Sequence, residues 1–192
     1  MRRTAVALLL ALSLGLSLAL AGCSGSSKGV GTSGFPIGNG AAVQVPEQQR
    51  GEPVTLAGST LAGERLDLAS LRGRPVVLNV WGSWCAPCRK EAKALVGAAS
   101  ELASQRVAFV GINTGDTDMA QARAFEQKYG VTYPSLVDDG GRLLLALHGA
   151  APPKAIPTTL VLDPQGRIAA RFSGEITQRT LVDLVSDVSA SR

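Results

Sequence analysis

The stretch that decides the fold is PVVLNVWGSWCAPCRKE, residues 75–91. It begins with a nearly continuous apolar run, 75–81, which is typical of a strand buried on both faces in the centre of a sheet. Cys85 and Cys88 follow a short polar loop, and the residues after them have the Ala-, Leu-, Glu- and Lys-rich pattern of a helix. The stretch therefore predicts a strand–loop–helix unit with both cysteines at the start of the helix.

A helix N-terminus suits redox chemistry of cysteine. Its unpaired N–H groups and positive dipole stabilise a thiolate, and such sites lower a cysteine pKa from about 8.5 to between about 3.5 and 7.5. We expect Cys85 to be exposed and to attack disulfides, and Cys88 to resolve the mixed disulfide. The redox group is then the Cys85–Cys88 disulfide itself, and no cofactor is expected.

Metal binding and a purely structural disulfide fit the pair less well. Structural zinc needs four ligands, the pair supplies two, and the chain holds one further cysteine, Cys23, and one histidine, His148. We therefore expect no metal site; a copper site is an alternative without a convincing third ligand. A structural disulfide is disfavoured because closing so small a loop stabilises little.

The remaining apolar segments and turn sequences predict an α/β sandwich with a mixed sheet. The expected elements are a hairpin with strands 54–57 and 65–68, a helical turn at 67–72, helices at 85–105 and 117–129, strands at 106–113 and 131–137, a short helix at 141–148, strands at 158–162 and 167–172, and a closing helix at 177–189. They form one domain, residues 51–192.

The N-terminal residues predict export and an anchor. Two arginines, an apolar run at 4–20 and small residues form a signal peptide, residues 1–22. Leu20-Ala21-Gly22-Cys23 resembles the lipobox of bacterial lipoproteins, in which the cysteine is lipidated. An uncleaved membrane anchor is the alternative, since a spanning helix needs about 20 apolar residues. The Gly- and Ser-rich residues 23–50 are expected to be the lipid-anchored, flexible linker.

Composition limits the partners. Apolar residues make up 45% and charged residues 18% of the chain, as in ordinary globular proteins. The net charge is +4, but the basic residues alternate with acids and aromatics make up only 4%. Without a basic stripe we expect no nucleic-acid partner. We expect a monomer at the outer face of the cytoplasmic membrane.

Residues 77–91 resemble the active-site segment of TlpA/ResA-type thioredoxin-like proteins. Together with 111–113 and 156–159, the resemblance extends over residues 51–189. It implies a thioredoxin fold, with a mixed central sheet flanked by helices, an N-terminal β-hairpin and an inserted αβ element at 114–139. It also implies an extracytoplasmic thiol–disulfide oxidoreductase that reduces exported proteins, with apocytochrome c as a candidate client in cytochrome c maturation and a membrane thiol carrier as electron donor.

The same resemblance assigns further site residues. Pro157 matches a cis-proline that faces the cysteines and, after Ile156, helps to hold the client peptide. Trp84 is expected to line the client-facing surface, and Pro87, typical of reducing members, stiffens the first helical turn. Trp81 is expected in the core.

Glu91 is expected to act as the acid/base for Cys88. It lies one helical turn after that cysteine, and the resemblance places a glutamate there. Thioredoxins have an acid where this chain has Asn79, so Glu91 would replace it. The alternative is a solvated glutamate favoured by the helix dipole.

Three other functions are alternatives to the reductase. A disulfide-forming oxidase differs from it only in reduction potential. A peroxidase of the peroxiredoxin kind wants Thr three residues before its cysteine, where this chain has Gly82. A metal or haem chaperone would bind its cargo through Cys85.

Overall fold

The computed structural model describes residues 42–147, 149–151 and 155–190. The predicted signal peptide, the predicted lipidation site Cys23, most of the predicted linker and His148 lie outside these ranges. Within them, no helix is both long and apolar enough to cross a membrane.

A six-stranded mixed sheet forms the centre of the domain, with strand order β1-β8-β7-β4-β5-β6. Its strands are β1 (Ala42–Gln44), β4 (Val76–Trp81), β5 (Ala108–Thr114), β6 (Ser135–Asp138), β7 (Thr158–Leu162) and β8 (Ile168–Ser173), and a separate hairpin consists of β2 (Ala57–Ser59) and β3 (Arg65–Asp67). The helices are α1 (Ala86–Glu101), α2 (Met119–Tyr129), α3 (Arg142–Ala146) and α4 (Gln178–Ala190). Single 3-10 turns lie at Glu47–Gln49, Leu68–Leu71, Ala103–Gln105 and Asp139–Gly141.

The apolar run of the sequence forms the central strand β4. All of its residues are buried, and it pairs in parallel with β5 and antiparallel with β7. Because side chains alternate along a strand, Val77 and Asn79 face one side of the sheet and Leu78 faces the other. The polar loop that carries the cysteines leaves from the carboxyl end of this strand.

Each face of the sheet packs on its own layer. On one face Val77 contacts a cluster with Leu95 of α1 and Leu181 of α4. On the other, Leu78 packs in a cluster that includes Leu68 after the hairpin and Leu144 of α3. The α2–β6 unit adds β6 in parallel to β5 at the sheet edge. This confirms the predicted mixed sheet, N-terminal hairpin and inserted αβ element.

The predicted domain boundary at Gly51 is wrong. Ala42–Gln44 forms edge strand β1, which pairs antiparallel with β8, and Val43 and Val45 pack against the core. A three-residue strand is too short for its alternation of apolar and polar residues to be recognised beside a Gly-rich segment. The folded domain therefore begins no later than Ala42 and includes the last part of the predicted linker.

Two predicted strands are shifted along the chain. The first hairpin strand begins at Ala57 rather than at Val54, because Val54 and Leu56 are buried in the core instead. Strand β6 begins at Ser135, so Pro134 precedes it rather than interrupting it. Proline lacks the N–H that a strand interior needs, which explains its place at the start.

A buried ion-pair cluster fastens the N-terminal segment to the β7–β8 turn. The Asp163 carboxylate accepts hydrogen bonds from Arg50 Nη1 at 3.2 Å and Arg167 Nε at 2.8 Å. The side chains of Asp163 and Arg50 are only 1% and 5% exposed. Removing the carboxylate would take a charge partner away from the buried Arg50 guanidinium.

We expect Asp163→Ala to lower the free energy of unfolding by about 3–5 kcal/mol, as for one partner of a buried ion pair. Asp183→Ala is the matched control, because its pair with Arg179 is exposed, at 54% and 86%, and its loss should change the free energy of unfolding little. Urea unfolding measures both. A small, equal loss in the two variants would contradict a structural role for Asp163.

Candidate active site

Cys85 and Cys88 form a disulfide at the N-terminus of α1, with their Cα atoms 5.3 Å apart. Cys85 caps the helix, since its Sγ accepts a hydrogen bond from the Cys88 N–H at 3.2 Å. Pro87 lies in the first turn, where its missing N–H costs no helical hydrogen bond. The predicted placement of both cysteines at a helix start is confirmed. After reduction, the same N–H group is in place to stabilise a Cys85 thiolate.

The expected exposure of Cys85 is wrong for the disulfide form. Cys85 is 3% exposed and Cys88 1%, because both sulfurs pack in an apolar cluster that includes Trp81 and Phe125. Trp84, by contrast, is 55% exposed beside them. The expected place of Trp84 on a client-facing surface stays a prediction, and Trp81 belongs to the core as predicted.

The Ile156–Pro157 peptide bond is cis, as expected. Ile156 is half-buried and packs against the cluster that contains both cysteines. Pro157 is buried directly before β7, whose first residue, Thr158, pairs with Val80 of β4. This pairing places the proline loop at the same end of the sheet as the cysteine loop. The role of both residues in binding a client stays a prediction.

Glu91 is buried, not solvated. It is 1% exposed; Oε1 accepts a hydrogen bond from Asn79 Nδ2 at 2.8 Å and Oε2 accepts one from the Ile176 N–H at 3.0 Å. The pKa of Glu91 is raised to about 7, mainly because the group is buried. The two hydrogen bonds oppose this rise, and the nearby charge of Glu175 adds to it. A carboxyl group with this pKa exchanges its proton readily at neutral pH.

Asn79 donates a hydrogen bond to Glu91 and lines a small cavity beside Cys88. It borders a cavity of about 10 Å³ that Cys88 also borders, which is room for about one water molecule. Its Nδ2 donates to Thr159 Oγ1 of β7 at 3.1 Å as well as to Glu91. The sequence marked Asn79 only as a missing acid, and it gave no signal for Ile176, which lies 85 residues from Glu91.

No group of three or more His, Cys, Asp or Glu side chains within the three described ranges is placed to hold a metal ion. The absence of a metal cofactor stays a prediction for the whole chain.

A disulfide at the start of a helix, a cis-proline loop at the same sheet end and a buried acid one turn on define a thioredoxin-fold thiol–disulfide oxidoreductase. The sequence pattern of the AhpC/TSA family matches residues 48–171. The chain belongs to this family and, within it, to the TlpA/ResA-like thioredoxin-family proteins.

Two of the similar proteins below are named for thiol–disulfide chemistry. The chain is 32% identical to the thiol-disulfide oxidoreductase ResA of Bacillus subtilis over 65% of this chain and 66% of ResA. A DsbF homologue from Corynebacterium diphtheriae is 35% identical, with a TM-score of 0.73 over 78% of this chain and 94% of that one. A secreted thiol-disulfide isomerase from Corynebacterium glutamicum is 32% identical, with a TM-score of 0.75 over 81% and 96%.

The peroxidase alternative meets a steric obstacle at Gly82. A Cβ atom there would lie 2.5 Å from Trp84 Nε1 and 3.0 Å from the Thr114 carbonyl oxygen. The threonine that the peroxidase pattern wants at this position would displace the exposed Trp84 indole and press on the Thr114 carbonyl oxygen. The loop geometry disfavours peroxidase chemistry of that kind.

The burial of Glu91 predicts a pH-dependent stability. Its pKa is raised from 4.5 to about 7 on folding, so between these values the folded state binds the proton more tightly. The free energy of unfolding of the oxidised protein should therefore fall as pH rises through this window, by up to about 3 kcal/mol. Glu91→Gln should lose this fall, as measured by urea unfolding from about pH 4.5 to about pH 8.

Glu175→Gln is the control for this prediction. It keeps Glu91 but removes the neighbouring charge that raises the Glu91 pKa, so the fall should remain, become smaller and end at a lower pH. An identical pH dependence in the wild type and in Glu91→Gln would contradict the raised pKa.

Proposed function

We propose that this oxidoreductase is a lipid-anchored reductase of disulfides in exported proteins. The observation that carries the proposal is the buried Glu91 carboxyl group, one helical turn after Cys88 and hydrogen-bonded to Asn79. An ionised carboxylate at this place disfavours a second negative charge on the neighbouring thiols. Destabilising the reduced pair makes it a stronger reductant, the reverse of oxidants whose reduced form is stabilised.

The reaction requires one proton transfer within the protein. The Cys85 thiolate attacks a client disulfide, forms a mixed disulfide and releases the first client thiolate. Cys88 then gives its proton to Glu91, and the resulting thiolate attacks Cys85 Sγ. The second client thiolate leaves, the Cys85–Cys88 disulfide forms, and two electrons have passed to the client. A base with a pKa near 7 is suited to the proton transfer.

The location follows from the N-terminal sequence. A signal peptide at residues 1–22 and lipidation of Cys23 would hold the domain at the outer face of the cytoplasmic membrane, and the similarity to a secreted isomerase supports an extracytoplasmic site. A reductase there needs electrons from inside, for which we propose a membrane thiol carrier. The proposed clients are exported proteins, with the C-x-x-C-H disulfide of apocytochrome c as the first candidate.

A disulfide-forming oxidase is the second candidate, because it would use the same Cys85–Cys88 pair and differ from the reductase only in reduction potential. Redox equilibration of Cys85 and Cys88 with glutathione decides between the two. A potential near thioredoxin's, about −270 mV, supports the reductase, whereas one near DsbA's, about −120 mV, supports the oxidase and overturns the proposal.

Cys88→Ser should trap a mixed disulfide between Cys85 and a disulfide-containing peptide, because the resolving thiol is gone. Cys85→Ser, the matched control, should trap none and should abolish exchange. Non-reducing electrophoresis and mass spectrometry of the adduct measure both. Equal adducts in the two variants would contradict the assignment of Cys85 as the nucleophile.

Cys23→Ala should release the protein from the membrane fraction or block its processing, because the lipid attachment site is lost. Exchange by the purified domain should be unchanged. Normal membrane retention of this variant would contradict the lipid anchor.

A further inference from the structure

The loop between β4 and α1 is held by one carboxylate from a different part of the chain. Asp116, in the loop after β5, accepts hydrogen bonds from the Ser83 N–H at 2.8 Å and from Ser83 Oγ at 2.5 Å. It also accepts one from Asn113 Nδ2 at 2.6 Å. Ser83 lies two residues before the nucleophile Cys85, so Asp116 controls the position of the segment that presents the nucleophile.

The rest of this loop is equally constrained. The Ser83 carbonyl oxygen accepts a hydrogen bond from Arg89 Nη1 of α1 at 2.9 Å, and Trp84 Nε1 donates to the Thr114 carbonyl oxygen at 3.2 Å. The backbone N–H, hydroxyl and carbonyl of Ser83 are therefore all engaged. Asp116 makes two of these three contacts to Ser83, and Arg89 makes the third.

The Asp116 contact is maintained at a local cost. Asn113 is 1% exposed, and its Oδ1 has no hydrogen-bond partner among the described residues. Rotating the amide would turn Oδ1 towards the Asp116 carboxylate, so the carboxylate fixes the amide in the orientation that leaves this oxygen unsatisfied. Buried unsatisfied polar atoms are rare in proteins and destabilise them.

Arg89 and Asp116 are charged side chains that form hydrogen bonds with this loop. Arg89 contributes a cation from α1, and Asp138 of β6 is already engaged by Thr114 Oγ1 at 2.8 Å. Glu91 lies below the cysteines in the core. Asp116 is thus an anion hydrogen-bonded directly to the loop, two residues before Cys85.

We propose that Asp116 is a positioning residue for dithiol–disulfide exchange that also lowers the reduction potential of the Cys85–Cys88 pair. Its hydrogen bonds hold Ser83 so that Cys85 stays at the start of α1. Its negative charge disfavours the Cys85 thiolate, and this destabilises the reduced form. This inference requires only that the protein carries out thiol–disulfide exchange. It holds whether the Cys85–Cys88 pair reduces or oxidises its clients.

The test compares the full-length protein with Asp116→Asn, which removes the charge and keeps the shape. Each is equilibrated with reduced and oxidised glutathione, so that two glutathione thiols reduce the protein disulfide and form one glutathione disulfide. We expect the variant to be at least tenfold easier to reduce, a rise of about 30 mV. Its Cys85 should also react with iodoacetamide at lower pH, and its urea midpoint serves as the measure of stability.

Two further variants separate charge from position. Arg89→Gln removes the cation on the other side of Ser83 and should shift the potential in the opposite direction. Ser83→Ala keeps the charge of Asp116 but removes one of its hydrogen bonds. It should slow exchange with a disulfide peptide, and its equilibrium constant with glutathione should stay within twofold of the wild-type value. A purely structural role for Asp116 would change the urea midpoint and leave the potential and the alkylation profile unchanged.

The inference is overturned if Asp116→Asn folds with the wild-type potential and the wild-type alkylation profile. If Asp116→Asn does not fold, Ser83→Ala decides, and a wild-type exchange rate in that variant overturns the inference. The wild-type potential itself tests the proposed direction of electron flow, whereas the difference between variants tests Asp116. Different results would therefore contradict the proposed reductase function and the proposed role of Asp116.

Discussion

The Glu91 carboxyl group joins four parts of the fold beneath the disulfide. It belongs to α1, accepts hydrogen bonds from Asn79 on β4 and from the backbone of Ile176 before α4, and reaches β7 through the contact between Asn79 and Thr159. These contacts fix the start of α1, and with it the cysteine pair, against the centre of the sheet. The acid that we propose as the proton acceptor of Cys88 thus also positions the helix, although burying it raises its pKa.

Function and stability compete at this end of the sheet. The disulfide lies on a packed cluster in which Trp81 and Phe125 stack with ring centroids 4.4 Å apart, so the sulfurs are presented by an ordered base. Two buried polar groups have the opposite effect and lower the stability: the Glu91 carboxyl group in the core and the unsatisfied amide oxygen of Asn113. Polar groups buried at such a cost are typical of sites where charge and proton affinity are tuned for a reaction.

The sequence predicted what is local or strongly patterned. The β4–loop–α1 unit is continuous in the chain, and its apolar run and cysteine spacing have few other interpretations. The family resemblance added the cis bond at Pro157, which lies far from the cysteines in the chain. What could not be predicted depends on distant partners: β1 needs β8 to be a strand, and a helical glutamate has the same sequence pattern whether it is solvated or buried beneath Asn79. Asp116 gave no signal either, because its partner Ser83 lies 33 residues away.

The central claim is that Glu91 is a buried acid that titrates near neutral pH and can exchange a proton with Cys88. The most direct measurement is a carbon-13 NMR titration of the glutamate side-chain carboxyl signals in the oxidised protein, with Glu91→Gln used to assign the signal. The account predicts one glutamate with a midpoint at about 7. A Glu91 midpoint at the ordinary value of 4.5 would contradict it and would leave the resolving cysteine without its acid–base partner.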